Sequence, residues 1–161
     1  MNIDNIQAIV FDFDGVFTDN TVFIDQFGNE SVRCSRSDGI GLTRLKNIGL
    51  TLAIMSTETN QVVSIRAKKL KIECWQSIDD KGRAIEEYSK KKNIPLNNIC
   101  FLGNDINDLP ALLKVGYPAA VADAYEEVKS LAKYVTMKTG GNGAVREICD
   151  LIYHEKMRKK Q

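Results

Sequence analysis

Four short apolar runs, separated by amphipathic stretches, limit what this chain can fold into more than any other feature. They are Ala8 to Phe11, Leu50 to Met55, Asn98 to Leu102 and Ala119 to Ala122. Each is continuous rather than alternating, the pattern of a strand buried on both faces. Between them, Asp38 to Ile48, Asn60 to Leu70, Asp80 to Asn93 and Gly143 to Tyr153 repeat apolar residues at helical spacing. Strands of that kind alternating with helices give an α/β fold, a three-layer Rossmann-like parallel sheet covered on both faces. Ser37 or Asp38 is expected to cap the first helix and Gly49 to stop it. Glu86–Lys90 and Glu87–Lys91 are spaced to pair along the third.

One segment breaks the rhythm. Thr21 to Ile24 and Ser31 to Cys34 are short β-like runs joined by the turn-rich Asp25-Gln26-Phe27-Gly28-Asn29. They read as a β-hairpin inserted over about residues 20–35. A lone hairpin is marginal in water, so this one should pack on another element or another subunit. The chain of 161 residues otherwise suits a single domain over 1–161, with a basic, frayed tail over about 155–161 that includes Lys156, Arg158, Lys159 and Lys160.

Composition excludes more than it identifies. A net charge of +1 offers no field for nucleic acid or an anionic membrane. No apolar run approaches the roughly 20 residues of a membrane span. The polar start, Met1 to Gln7, is not a signal peptide, and a cytoplasmic location follows. Cys34, Cys74, Cys100 and Cys149 form no C-x-x-C pair, so buried free thiols are expected. The single His154 lies near the tail and is given no chemical role.

The chemistry gathers where the apolar runs end. The first run ends in Asp12, with Asp14 two residues on. The second ends in Ser56, and the third in Gly103-Asn104-Asp105, with Asp108 a helical turn further. In a parallel sheet these carboxyl ends form the binding crevice. Asp12 and Asp14 share a face of the extended chain and repel unless a cation or proton lies between them. Gly15 permits a sharp turn after them. The Ser56 hydroxyl can donate to a phosphoryl oxygen or cap the next helix. Lys81, after Asp79-Asp80, can neutralise a transferring phosphoryl group or sit exposed at a helix start. Asn104, Asp105 and Asp108 offer oxygen ligands for a hard cation such as Mg²⁺; Asp108 can equally cap the helix that begins at Leu109-Pro110.

In this order, Asp12-x-Asp14-Gly15, Ser56, Lys81 and Gly103-Asn104-Asp105-x-x-Asp108 resemble the haloacid-dehalogenase-like phosphatase superfamily. Val16-x-Thr18-Asp19, Gly28-x-Glu30, Asp38-Gly39-Ile40-Gly41, Val121-Ala122-Asp123-Ala124 and Gly140-Gly141-x-Gly143 look like its small branch without a large cap domain. That branch contains 3-deoxy-manno-octulosonate-8-phosphate and acylneuraminate-9-phosphate phosphatases. The resemblance implies a covalent aspartyl-phosphate on Asp12 and acid–base work by Asp14. Phosphoryl binding falls to Ser56, Thr57 and Lys81. Mg²⁺ would be held by Asp12, Asp14, Asn104, Asp105 and Asp108. It also implies a homotetramer with shared active sites, in which Arg66 and Lys69 of a neighbour hold the carboxylate of a phosphorylated sugar acid.

Two departures bear on function. Close relatives often carry Asp where Asn104 stands, which removes one formal charge from the metal site. Octulosonate phosphatases usually carry Arg where Glu58 stands, and acylneuraminate-type enzymes resemble this chain in having Glu. The nine-carbon 9-phosphate is therefore the expected substrate, with the octulosonate phosphate as the alternative. A tetramerisation module for an acylneuraminate cytidylyltransferase is the reading outside enzymes. A receiver-type signalling domain fits poorly, because its phospho-accepting Asp would lie on the third strand.

Overall fold

The computed structural model describes residues 3–158. In chain order the strands are β1 (Ala8–Phe11), β2 (Phe23–Ile24), β3 (Glu30–Ser31), β4 (Thr51–Met55), β5 (Glu73–Trp75), β6 (Ile99–Gly103), β7 (Tyr117–Ala120) and β8 (Tyr134–Val135). The helices are α1 (Ser37–Asn47), α2 (Val62–Leu70), α3 (Lys81–Lys92), α4 (Leu109–Leu112), α5 (Glu126–Leu131) and α6 (Ala144–Arg158).

Six strands form one parallel sheet in the order β5-β4-β1-β6-β7-β8. The continuous apolar runs mark its interior: every residue of β1, β6 and β7 is buried. Helices cover the sheet, α1 packing on α6 and α3 on α4. From β1 the chain runs outward through β4 to β5, then returns to β6 on the other side of β1. The strand order therefore reverses beside β1, and an open parallel sheet has its crevice at such a point. Phe11 of β1 is in register with Ile54 of β4 and Leu102 of β6. The residues after these three strands consequently emerge at one level.

Local chemistry sets the helix that matters most. Asp80 is extended and its carboxylate accepts hydrogen bonds from the N–H groups of Gly82 (2.8 Å) and Arg83 (3.1 Å). That cap starts α3 at Lys81. At α1 the expected cap is absent. Ser37 is already helical, Arg36 precedes it without a side-chain cap, and the Asp38 carboxylate is buried elsewhere. Gly49 does end the helix, at φ +88°.

The hairpin forms as β2 and β3, shorter than its sequence pattern and separate from the main sheet. Its turn is organised by Asp25, whose Oδ1 accepts from the N–H of Phe27 and Asn29. The pairs expected along α3 do not form. Glu86 meets Lys114, Glu87 meets Arg83, and Lys91 reaches Glu73 on β5. Exposed i,i+4 pairs are worth only tenths of a kcal/mol, so other partners displace them. Nor does the tail fray at residue 155: α6 continues to Arg158, and Lys156 Nζ donates to the Asp4 carbonyl (2.8 Å). Lys159 and Lys160 lie outside the described residues. Cys100 and Cys149 are buried, and Cys34 and Cys74 half-buried; all four thiols are free. Among the described residues no helix is long and apolar enough to cross a membrane.

Candidate active site

A polar cavity opens at the carboxyl ends of β1, β4 and β6. Asp12, Asp14, Ser56, Thr57, Asn104 and Asp105 line it, with Asn20, Ile106 and Asn107. Three of the four motif segments thus meet in one place, as the level strand ends require. The fourth comes from beneath. Lys81, at the start of α3, is fully buried, and its Nζ lies 2.6 Å from Asp12 Oδ1 and 2.6 Å from Asp108 Oδ1. The exposed helix-start reading of Lys81 is therefore wrong. Burial alone would lower its pKa, but the Asp12 and Asp108 carboxylates outweigh that, and the net shift is upward. The ammonium stays charged.

Asp108 does not have the place the sequence suggested. Its Oδ1 accepts from Lys81, and its Oδ2 accepts from the backbone N–H of Asn104 (2.8 Å) and Asp105 (3.3 Å). It is fully buried, is not part of the cavity lining, and makes no side-chain cap on α4. Both carboxylate oxygens are committed, so Asp108 anchors Lys81 and the Gly103–Asp105 turn. Asp105 reaches the cavity wall, with Oδ1 accepting its neighbour's N–H at Ile106.

Asn104 is the residue with an unfinished task. It is 5% exposed, and its Oδ1 is buried without a hydrogen-bond partner. A buried amide oxygen left unpaired is costly, and this one shares the cavity with Asp12 and Asp14. The amide also lies against Gly15: a Cβ there would fall 2.0 Å from Asn104 Nδ2. Gly15 is at φ +75°, so both space and backbone exclude a side chain. Among the described residues no three His, Cys, Asp or Glu side chains gather as a metal cluster. The available set is instead a carboxylate, Asp12, beside the free amide oxygen of Asn104. All-oxygen donors with few side chains suit Mg²⁺, which keeps much of its water and takes ligands from substrate.

Burial raises Asp12 to about 7. The Asp108 charge adds to this, and Lys81 pulls back only part of it. Asp14 is also raised, by burial first and then by the Glu58 carboxylate; a hydrogen bond from Thr18 opposes the shift. A raised carboxyl close to Asp12 suits a group that delivers a proton.

The sequence reading missed the support beneath these residues. Thr18 is fully buried. Its Oγ1 accepts from the N–H of Gly15 (3.1 Å) and donates to Asp14 Oδ1 (3.4 Å). Gly141 donates its N–H to the Val16 carbonyl (3.0 Å), and a Cβ on Gly140 would fall 1.9 Å from the Gly15 carbonyl oxygen. Asp123 holds the same glycine pair through the Gly140 N–H (2.9 Å). The Gly140-Gly141 motif is therefore a buttress for the Asp12–Asp19 loop. Nothing local in the sequence signals that contact, which joins positions more than a hundred residues apart.

Ser56 closes β4, nearly fully buried, and its Oγ accepts from the Glu58 N–H (3.1 Å). Asn60, not Ser56, accepts from Val62 at the start of α2. Glu58 lines a second cavity beside the first, with Asp14, Asn20, Glu30 and Val62. Its Oε1 accepts from the N–H of Thr59 and Asn60. Arg66 and Lys69 do not reach either cavity within one chain. They line a third cleft, next to Glu30, Val32 and Val62, and Arg66 Nη2 donates to the Ser35 carbonyl (2.7 Å).

A family model for haloacid dehalogenase-like hydrolases matches residues 46–148. The 3-deoxy-D-manno-octulosonate 8-phosphate phosphatase of Escherichia coli K12 is 33% identical, over 92% of this chain and 80% of that protein. The chain belongs to the haloacid dehalogenase-like hydrolases. It is a phosphatase of that family, in the branch that includes the octulosonate enzymes. Among solved structures, the Moraxella catarrhalis 3-deoxy-D-manno-octulosonate 8-phosphate phosphatase, in complex with magnesium, phosphate and KDO, superposes with a TM-score of 0.91. It is 34% identical, covering 99% of this chain and 95% of that one. A HAD family hydrolase from Streptomyces avermitilis is 44% identical, with a TM-score of 0.90 over 93% of this chain and 86% of its own.

Proposed function

We propose that this phosphatase is Mg²⁺-dependent and hydrolyses a 2-keto-3-deoxy sugar acid phosphate. The supporting observation is the buried Lys81, which bridges Asp12 and Asp108 under a cavity that also holds Asp14, Ser56 and the unpaired Asn104 oxygen. In this reading a carboxylate oxygen of Asp12 attacks phosphorus in line. An Asp12–phosphorus bond forms as the bond to the sugar oxygen breaks, and Asp14 gives that oxygen its proton. Water then attacks the phosphorus of the aspartyl-phosphate. Asp14 takes the water's proton, and phosphate leaves with Asp12 free. Ser56, Thr57 and the Lys81 charge hold the phosphoryl oxygens. Mg²⁺, held by Asp12, the Asp14 backbone carbonyl, Asn104 and Asp105, would neutralise charge on the phosphoryl group. Asp108 serves it only by positioning.

Asn104 gives the cation a neutral ligand where an anion is possible. Asn104→Asp is expected to lower the Mg²⁺ concentration for half-maximal activity by several-fold. Titrating both proteins with Mg²⁺ tests this. An unchanged or higher value means that Asn104 is no ligand, or that repulsion from Asp12 and Asp105 prevails.

The finer reading is an acylneuraminate-type 9-phosphate, and it rests on Glu58. Its carboxylate lines the cavity next to Asp14 and can accept hydrogen bonds from sugar hydroxyls, which an Arg cannot. One mismatched polar group in a closed site costs about 1–3 kcal/mol, roughly ten- to a hundredfold in kcat/KM. The expected result is that wild type prefers the nine-carbon phosphate and that Glu58→Arg reduces or reverses the preference. The names of the similar proteins favour a second reading, 3-deoxy-octulosonate 8-phosphate. Preference of wild type for that sugar would establish it. Partnership with a cytidylyltransferase has no observation in its favour.

The proposed assembly is a homotetramer in which the hairpin is covered and a neighbour's Arg66 and Lys69 meet the sugar's carboxylate. Val22, Phe23, Ile24 and Phe27 are all exposed on the hairpin of one chain, and Phe27 is 80% exposed. Apolar surface of this kind marks an interface. Light scattering at micromolar concentration is expected to give four times the chain mass, and a monomer would remove the shared site.

A further inference from the structure

The turn that follows β1 encloses a hydroxyl. The N–H groups of Val16, Phe17 and Thr18 all donate to the Phe13 carbonyl (3.2, 2.9 and 3.2 Å), which closes the chain tightly after Asp12. Phe17 draws this turn into the core. Its ring meets Phe11 edge-on at 5.5 Å and stacks on Phe13 at 6.0 Å. Thr18 comes next and is 0% exposed. The Gly140-Gly141 pair closes on its backbone: a Cβ on Gly140 would fall 2.9 Å from the Thr18 carbonyl oxygen, and one on Gly141 would fall 2.7 Å from the Thr18 carbonyl carbon. The turn and the glycine pair together fix where Thr18 stands.

A threonine hydroxyl has one proton to give and two lone pairs to accept with. The Gly15 N–H donates to Thr18 Oγ1 at 3.1 Å, and the Asn20 N–H donates to it at 3.2 Å. Asn20 stands at φ +63°, the left-handed region that Asn tolerates better than most residues. Both lone pairs are therefore taken, and the hydroxyl can only donate in its third bond. The acceptor is Asp14 Oδ1, at 3.4 Å. Because the side chain is fully buried, solvent offers no other acceptor. The bond is long, but its direction is forced. Two N–H groups donating to one oxygen also make its own proton a better donor.

Asp14 lines both adjoining cavities, and among the described residues the Thr18 bond is the one hydrogen bond its carboxylate accepts. Oδ1 faces a donor, so a proton on that oxygen would meet the Thr18 proton head-on. Oδ2 has no such neighbour. We propose that Thr18 is a positioning residue that sets which oxygen of Asp14 exchanges protons: it holds Oδ1 as an acceptor and leaves Oδ2 to the reacting groups. The inference rests on the reading of Asp14 as acid and base. Oδ2 then gives its proton to the departing sugar oxygen, and the same oxygen takes one from the water that frees Asp12. A carboxyl free to turn over would carry its proton on either oxygen, and holding it in one orientation removes that reorganisation from the reaction.

The test compares kcat/KM for phenyl phosphate and p-nitrophenyl phosphate, a quantity that covers the reaction up to departure of the leaving group. The two substrates are nearly alike in shape. Phenolate is the stronger base and needs the proton, whereas p-nitrophenolate leaves without it. Thr18→Val removes the hydroxyl and is expected to lower kcat/KM for phenyl phosphate roughly ten- to a hundredfold more than for p-nitrophenyl phosphate, a part of what general acid catalysis supplies. Thr18→Ser keeps the hydroxyl and should retain the wild-type ratio of the two. In an Asp14→Asn background, Thr18→Val should not change the ratio further. Valine also strands the Gly15 and Asn20 N–H groups. Equal losses on both phosphates would mean that Thr18 only steadies the turn, and would overturn the proposal. So would a changed ratio in Thr18→Ser, which needs no folded valine variant. If Thr18→Val does not fold, Thr18→Cys, whose S–H is a weak donor, must shift the ratio in the same direction or the inference fails. The acid reading is judged separately. If Asp14→Asn costs both phosphates equally, that reading fails. If Asp14→Asn discriminates between them and Thr18→Val does not, the acid reading stands and only the role of Thr18 is lost.

Discussion

Replacing Asp12 by Asn is expected to reduce phosphate release by about 10⁴-fold or more, the scale seen when a nucleophile is removed, and to leave a folded protein. The amide is the same size and can still accept from Lys81 Nζ through its oxygen, but it cannot form the acyl-phosphate. Near-wild-type turnover in the folded variant would end the nucleophile assignment. Stability carries an independent signature. In the metal-free fold Asp12 titrates at about 7, against about 3.9 in an unfolded chain. The native state therefore holds a proton that the unfolded chain releases over that interval. This group's contribution is full below about pH 4 and is lost as pH rises through 7. Asp38, raised to about 6 by burial, has the same sign. Glu73 has the opposite one. Burial works against its ionisation, but Lys91, Lys92 and Trp75 hold it at about 2, so its stabilisation is lost only in acid. Thermal melts in chelator should thus show wild type losing stability from pH 5 to pH 8, and Asp12→Asn losing less. Mg²⁺ should raise the wild-type Tm more at pH 8 than at pH 5.5, because its ligand must first be deprotonated.

The site was legible to the extent that its residues close apolar strands. Asp12, Ser56 and Asn104 follow runs so apolar that only a buried parallel strand accommodates them, and the level strand ends bring the three together. Elements without such a run were not legible. β5 is Glu73-Cys74-Trp75, half-buried at the sheet's edge, and β8 is two residues long. Neither has a period to detect, and each is held by pairing with a neighbour rather than by its own pattern. Tertiary contacts decided the other misreadings. Asp108 sits one turn into a polar loop and reads as a ligand or a cap, until Lys81 arrives from 27 positions away to occupy it. Asp38 looked like a helix cap because Asp commonly is one. Only the close approach of α6, permitted by Gly41, buries it instead.

Lys81 allows stability and activity to be separated. Lys81→Met removes a charge buried between two carboxylates that remain. Breaking a buried ion network from one side costs about 3–5 kcal/mol, which for a domain of this size lowers Tm by roughly 10 °C or more. Activity should fall at least about 10³-fold, since the fixed charge under the phosphoryl site is gone. A second substitution discriminates between the two effects. Asp108→Asn in the Lys81→Met background removes one of the stranded charges, while the side-chain oxygen can still accept from the N–H groups of Asn104 and Asp105. The double variant should recover a large part of the lost Tm, because the Asp12–Asp108 repulsion that raises Asp12 is relieved. It should recover almost none of the activity, because no cation has been restored. Calorimetry and single-turnover hydrolysis of one substrate provide both readings. If activity returns together with stability, Lys81 is a structural ion whose loss merely loosens the site, and the phosphoryl-binding role passes to Ser56, Thr57 and the metal.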